Sequence, residues 1–328
     1  MSRALRVAVV GATGALGSEV LGLLDGHAEL RVASLLPLAS PRSQGESVSF
    51  QGDTIAVRAE AELKGLDLVV CCAPPDASLA WVRQALRAEV PCVDASGALA
   101  LSAEVPLCAA ALDPHCGAGA PLVASPPGTA LALALVLDPI RRSVGLARIA
   151  ATLLESSAAS GRDAIAALGA ESVALFNQSD APESASRPLA FDCHPAIGEV
   201  EESGDTALET RVARTLRRLL GTAVPTSLAI AQVSVFVGMA AQVSIDTESA
   251  VDPKQVRELL VAAPWVELWT LDAEGPNLRA AAGRSEVLVG RLRVDPTRER
   301  GLALWLAADP LRLAAANALA LAQRIVRP

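Results

Sequence analysis

The 328-residue chain reads as an α/β protein with a doubly wound first domain and an α+β second domain built on a mostly antiparallel sheet. Three observations predict this. The run LRVAVV (5–10) is β-rich and almost wholly apolar, as a parallel strand covered on both faces should be, and a glycine loop and a helical pattern follow it at once. Apolar runs then alternate with helical stretches as far as VDASG. Beyond residue 145, strand-like runs crowd together with few helices between them. At roughly 150 residues per domain, the length itself suggests about two domains.

Taken in order, LRVAVV leads through GATGALG into the helix SEVLGLLDG, which Gly26 stops. A second strand, LRVASLL (30–36), ends in the polar turn ASPRSQG. Strands near VSF and TIAV, the buried strand LDLVVCC, the helix DASLAWVRQALRA and the short strand PCVDAS complete the alternation. VASPPGTALALALVL (123–137) then joins a strand end to an apolar helix over 129–142 through Pro126, Pro127 and Gly128. Next come the strand ARIAATLLE, a helix near 162–176, an irregular stretch over 177–205 and the helix TALETRVARTLRRLL. LAIAQVSVFVG, AAQVSIDT, SEVLVGRLRVD and LALWLA read as strands. The last helix, DPLRLAAANALALAQRIV, has Asp309 as N-cap and Pro310 in its first turn, and its apolar surface predicts a return to the first domain.

Composition excludes several function classes. A net charge of -8 with no basic cluster gives no footprint for a nucleic-acid backbone. The longest apolar runs contain Pro or Arg, so no membrane span is expected. MSRALRVAVVGATG is a strand and a turn rather than an apolar leader, and the six cysteines lack zinc spacing, so reduced thiols in a cytoplasmic protein are expected. Cys71 and Cys72 read as buried strand residues.

The most informative local signal is Gly11, Gly14 and Gly17 between a strand and a helix. The first permits the turn, the second lets the backbone approach a pyrophosphate, and the third allows close helix–strand packing. A dinucleotide site of Rossmann type follows. Ser40, Arg42 and Ser43 stand after the second strand, where an NAD enzyme usually places an acid; an arginine with two hydroxyls suits a 2′-phosphate, so NADP is the expected cofactor.

The glycine loop, ASPRSQG, VDASGALALSAEVPL, the junction at 123–130, VSVFVGMA, EVLVGRLRVD and LRLAAANALALA occur in one order, and together they resemble the aspartate-semialdehyde dehydrogenase family almost end to end. The resemblance implies a Rossmann-type doubly wound NADP-binding domain over 1–128 plus 310–328, and a dimerisation and catalytic-type domain over 129–309. It implies cofactor contacts at Gly11, Ala12, Thr13, Gly14, Ala15, Leu16, Gly17, Ser40, Arg42, Ser43, Ala73 and Pro74, and a homodimer. It also implies a reaction, the NADP-linked interconversion of an acyl phosphate and an aldehyde through a cysteine thioester.

The residues that such a reaction needs depart from the family's strings. Gly128 of ASPPGTA stands where the resemblance places the nucleophilic cysteine, and Met239 of VSVFVGMA where it places the histidine base. Gln232 replaces a substrate-binding arginine, Ala100 a phosphate-binding arginine, Glu155 a glutamine and Val212 a lysine; Glu209 is retained. Pro310 replaces an asparagine on the nicotinamide side. A thioester route without thiol, base or anion clamps loses its rate enhancement.

Other residues offer weak substitutes. Cys193 and His194 are neighbours on an extended segment and point to opposite faces. His115 and Cys116 lie in a Gly-rich stretch that reads as an exposed loop, and His27 sits where a helix dipole explains it. Glu155 and Glu209 form either a carboxylate pair or ion pairs with Arg162 and Arg211, the latter being preferred. ETRVARTLRRLL carries a basic face that reads as solvated surface, and Trp265 and Trp269 read as core or interface. Tyrosine is absent, which excludes a tyrosine-based reductase. Three functions are therefore expected in order: an NADP-binding homologue without the family reaction, an NADP-dependent oxidoreductase acting on another carbonyl compound without a thioester, and a structural dimer without cofactor.

Overall fold

The computed structural model describes residues 4–179, 187–250, 252–269 and 275–326. Its elements begin with β1 (Leu5–Val10), α1 (Ala15–Leu24), β2 (Val32–Leu38), β3 (Ser47–Phe50), β4 (Asp53–Ala56) and β5 (Leu68–Cys71). They continue with α2 (Pro75–Arg87), β6 (Cys92–Asp94), β7 (Leu122–Ala124), α3 (Gly128–Val144), β8 (Arg148–Glu155), α4 (Arg162–Phe176), β9 (Cys193–His194) and α5 (Ala207–Leu220). The remainder are β10 (Thr226–Val233), β11 (Met239–Asp246), α6 (Pro253–Ala262), β12 (Val266–Leu268), α7 (Leu278–Ala281), β13 (Val287–Val294), β14 (Gly301–Ala308) and α8 (Pro310–Val326). Contacts divide the chain into two compact units, Met1–Leu131 with Leu311–Pro328, and Ala132–Pro310.

In the first unit, five parallel strands run in the order β2-β1-β5-β6-β7. β1 is continuously apolar because both faces are covered: Val7, Ala8, Val9 and Val10 are all buried. The chain leaves β1 toward β2 and later returns to β1's other side with β5. The carboxyl ends of β1 and β5 therefore flank the point where strand order reverses, and a crevice opens there. The runs VSF and TIAV join no part of this sheet; they form the antiparallel β3–β4 hairpin. α1 ends as expected beside Gly26, whose φ of +87° no β-carbon-bearing residue adopts readily. α8 belongs to this unit, as its apolar surface predicts. Asn317 and Arg324 fasten it to the segment before β7: Asn317 holds Cys108 and Ala110, and Arg324 donates to the carbonyls of Ala110 and Asp113.

The second unit holds one seven-stranded sheet, β12-β13-β14-β11-β8-β10-β9. Four of its six pairings are antiparallel, while β8–β10 and β12–β13 are parallel, so the sheet is mixed. α5 packs an apolar stripe of Val212, Leu216 and Leu220. It begins in a reciprocal capping box of Thr206 and Glu209 and ends at Gly221 in the left-handed region. Helix α6 and strand β12 lie in a region whose sequence reads as strands alone. α6 starts at an Asp-Pro pair like that opening α8: Asp252 accepts the Lys254 N–H at 2.8 Å, and Pro253 occupies the first position. Trp269 and Trp305 pack against the buried cluster of Ala240, Ala281, Leu288 and Ala307. Among the described residues no helix is long and apolar enough to cross a membrane.

Candidate functional site

In the first unit, the glycine loop crosses the end of β1. Gly11 has φ +79°, and a β-carbon on it would fall 2.6 Å from the Ala73 nitrogen. One on Gly17 would stand 2.1 Å from the Gly11 carbonyl oxygen, so α1 reaches β1 only because residue 17 has no side chain. Gly14 caps α1 without offering any side-chain acceptor. The amides of the helix's first turn have no carbonyl partner within the helix, so an anion outside it would satisfy them.

Thr13 Oγ1 lies 3.0 Å from Ser43 Oγ, which ties this loop to the short 3-10 turn Pro41–Ser43 after β2. Between loop and turn lies a cavity of about 570 Å³. Of the residues expected to contact a cofactor, Gly11, Thr13, Gly14, Ser40, Arg42, Ala73 and Pro74 line it. Ala12, Ala15, Leu16, Gly17 and Ser43 do not: Ala12 and Gly17 are buried in the turn and Ser43 is turned onto Thr13. Val10, Ala39, Pro41, Ala59, Cys72, Ala77, Ala80 and Trp81 also line it and were not anticipated. Positions 77, 80 and 81 share one face of α2, a spacing visible in the sequence.

The junction that opens α3 sits in the same unit. Asp94, at the end of β6, accepts Ser96 Oγ at 2.5 Å, the Ser96 N–H at 3.0 Å and the Leu99 N–H at 2.8 Å. Burial pushes its carboxyl above the ordinary range, and these hydrogen bonds offset part of that shift. The turn so formed carries Ala100, fully buried, and Gly97, whose added β-carbon would meet Pro127 at 3.1 Å. The turn Pro126-Pro127-Gly128 thus rests against glycine, and Gly128 starts α3 with no side chain.

In the second unit, four chemically unlike residues stand side by side. Met239 pairs with Glu155 across β11 and β8, Glu155 with Gln232 across β8 and β10, and Gln232 with His194 across β10 and β9. Paired residues point to the same face of a sheet, so the four form a single row. Met239 and Glu155 are buried, and Gln232 Nε2 donates to Ser160 Oγ at 3.1 Å. The loop over 234–238, which leads into Met239, is pinned from below. Ser157 Oγ donates to the Val235 and Phe236 carbonyls, and Gly238 has φ +99°.

Several expectations are corrected. Glu209 joins neither a carboxylate pair nor a pair with Arg211: Oε2 accepts the Thr206 N–H at 2.6 Å and Oε1 the Ile230 N–H at 2.7 Å, so both oxygens serve the backbone. Val212 lies buried beside it in the core stripe of α5. His27 lies three residues past the end of α1, and its Nδ1 atom accepts the N–H groups of Glu29 and Leu30. Cys116 is no free loop thiol, because it is bonded to Cys108, so the six cysteines are not all reduced. Cys193 is exposed, while the His194 ring donates through Nε2 to the Pro188 carbonyl at 3.0 Å. Cys71 and Cys72 are buried as expected. The contact with Cys92 and then burial raise the first thiol's pKa, and burial raises the second's.

The family model "Semialdehyde dehydrogenase, NAD binding domain" matches residues 6–118, and "Semialdehyde dehydrogenase, dimerisation domain" matches residues 137–313. The chain is 30% identical to aspartate-semialdehyde dehydrogenase 2 of Vibrio cholerae, covering 100% of this chain and 99% of that protein. It is 32% identical to the USG-1 protein homolog of Azotobacter vinelandii, over 100% of this chain and 99% of the other. The crystal structure of aspartate semialdehyde dehydrogenase II from Vibrio cholerae superimposes with a TM-score of 0.93 at 29% identity, covering 99% of each chain. That of a probable aspartate-semialdehyde dehydrogenase from Pseudomonas aeruginosa does so with 0.91 at 27% identity, again over 99% of each.

Proposed function

The chain belongs to the aspartate-semialdehyde dehydrogenase family, and from that membership we propose that it binds NADP, pairs as a homodimer and does not carry out the family's cysteine-dependent reaction. The observation that carries this reading is a contrast. The glycine cradle, the uncapped start of α1 and Arg42 are all present, whereas Gly128 and Met239 offer neither a nucleophile nor a proton carrier.

NADP, if bound, would bring a transferable hydride, which the leading reading leaves unused and the second reading below would use. The chain's own residues would divide the work of holding the cofactor: the first-turn amides of α1 would receive the pyrophosphate, and Arg42 with Ser40 the 2′-phosphate. On the substrate side, a thioester requires a thiolate and a base, and Gly128 and Met239 supply neither. Gln232, Ala100 and Val212 are neutral, so an acyl phosphate's anionic groups meet no fixed cation at these positions. Function then resides in binding, as a sensor of the cofactor or as a partner for another protein. The dimer reading draws on the matched dimerisation domain and on Val173, Leu175, Phe176 and Phe191, apolar side chains left exposed on the second unit.

The row of Glu155 and Gln232 favours one second reading, reduction of another carbonyl compound without a covalent step. One set of measurements separates the possibilities. A ligand that binds only the folded chain raises its melting temperature, so millimolar NADPH should shift Tm upward by a few degrees. The NADP-linked conversion of aspartate semialdehyde with phosphate should stay at background. No shift overturns cofactor binding and leaves a structural dimer; turnover of aspartate semialdehyde overturns the inactivity; turnover of another aldehyde or ketone supports the second reading.

A further inference from the structure

We propose that Trp81 is the platform on which the adenine base of a nucleotide stacks, with Ala77 and Ala80 leaving the room for it; the proposal rests on the reading of the first-unit cavity as a cofactor site. α2 begins at Pro75, so Ala77, Ala80 and Trp81 fall at spacings of three and four and share the face that lines the cavity. The start of the helix is fixed by Ser78, whose Oγ donates to the Ala73 carbonyl at 2.9 Å. Two methyl-sized residues beside one large aromatic make a flat apolar wall, and every nucleobase has a face that fits such a wall.

Two further observations give the nucleotide its direction, and two more show that the indole is available. Gly11, Gly14 and Arg42 lie in the same cavity as Trp81, so the cavity that the indole borders also offers groups that suit phosphate. The indole also borders the neighbouring depression that holds Glu60 and Glu62, whose carboxylates repel a phosphate and so turn the base toward Trp81. Trp81 is only partly buried, against the core that includes Val82 and Ala85. Its indole N–H makes no hydrogen bond among the described residues, whereas Trp269 donates to Glu267 and Trp305 to the Pro276 carbonyl. Those two tryptophans are committed to the fold, and Trp81 keeps a face and a donor for a ligand.

The test uses the full chain, NADPH, adenosine 2′,5′-bisphosphate and nicotinamide mononucleotide. Trp81→Ala should weaken NADPH and the adenosine bisphosphate alike, by roughly tenfold or more, because base stacking on an aromatic ring is worth that much. Trp81→Phe, which keeps an aromatic wall and guards against a folding defect, should retain most of the affinity and lose most of the tryptophan quenching caused by NADPH. Affinity for nicotinamide mononucleotide should not change in either variant. NADPH binding that is equal in wild type and Trp81→Ala overturns the stacking role and leaves the cofactor reading intact. If wild type binds the adenosine bisphosphate through Trp81 but not NADPH, the platform stands and the dinucleotide reading fails. Binding of neither compound overturns both.

Discussion

Asn317 Nδ2 donates to Ser125 Oγ at 2.8 Å and to the Cys108 carbonyl at 3.0 Å, while Oδ1 of the same side chain accepts the Ala110 N–H at 2.7 Å. One fully buried amide on α8 therefore holds the strand end that leads into Pro126-Pro127-Gly128 and the segment before it. Asn317→Ala leaves three buried polar groups without their partner. Each such group costs about 1–3 kcal/mol, so a loss of roughly 3 kcal/mol in denaturant unfolding is expected, with the slope unchanged. A loss under about 0.5 kcal/mol would mean that water takes over the amide's role.

The contact between Gly17 and the Gly11 carbonyl makes a second prediction. Gly17→Ala forces α1 away from β1, at a cost of about 1–3 kcal/mol or more, because the atom struck is backbone and cannot swing aside. Thermal unfolding should show a lower Tm, and NADPH should no longer raise it. Gly22→Ala, at a helical position with open space around it, serves as the control: it should hold or slightly raise Tm, and NADPH should still raise it further.

Arg42 is expected to decide between the two nicotinamide cofactors. Charged hydrogen bonds contribute about 1.5–3 kcal/mol, so Arg42→Ala should weaken NADPH roughly tenfold to a hundredfold while NADH affinity stays within a factor of about two. Equal losses for both cofactors would assign Arg42 to the base or the pyrophosphate instead.

The sulfur atoms differ enough in setting to be counted. In the native protein one thiol, Cys193, should react quickly with a disulfide reagent, and Cys193→Ser should remove that phase. Cys71, Cys72 and Cys92 are buried, and the first two have raised pKa values, so they should react only on unfolding. Dithiothreitol should add two more thiols from Cys108 and Cys116 and lower stability by about 2 kcal/mol, the order expected for closing so short a loop. Two fast thiols before reduction would contradict this assignment.

Much of this architecture can be read from the residues because the relevant signals are local. Apolar β1, the three glycines after it and the Thr206–Glu209 box each declare an element within a few positions. The Asp252-Pro253 start of α6 is equally local, yet the strand-like runs on either side draw attention from it. What stays hidden is set by tertiary pairing. Cys108 and Cys116 meet where the segment between them folds back through its own turns, a segment that Asn317 and Arg324 hold. Glu209 reads as a site residue by position, but its second oxygen is claimed by Ile230, 21 residues away. Trp81 shows as part of the cavity only once α2 is packed beside the glycine loop.

The row of Met239, Glu155, Gln232 and His194 has an evolutionary consequence. Its members are dispersed between residues 155 and 239, yet the ladder joining them is made of backbone amides and carbonyls that are the same for every amino acid. The ladder itself does not depend on which side chains stand on it, although Met239 and Glu155, both buried, are costlier to replace than Gln232 and His194, which are half-buried. The chemistry that the row presents can therefore change one side chain at a time, at least stability cost at the half-buried Gln232 and His194 end.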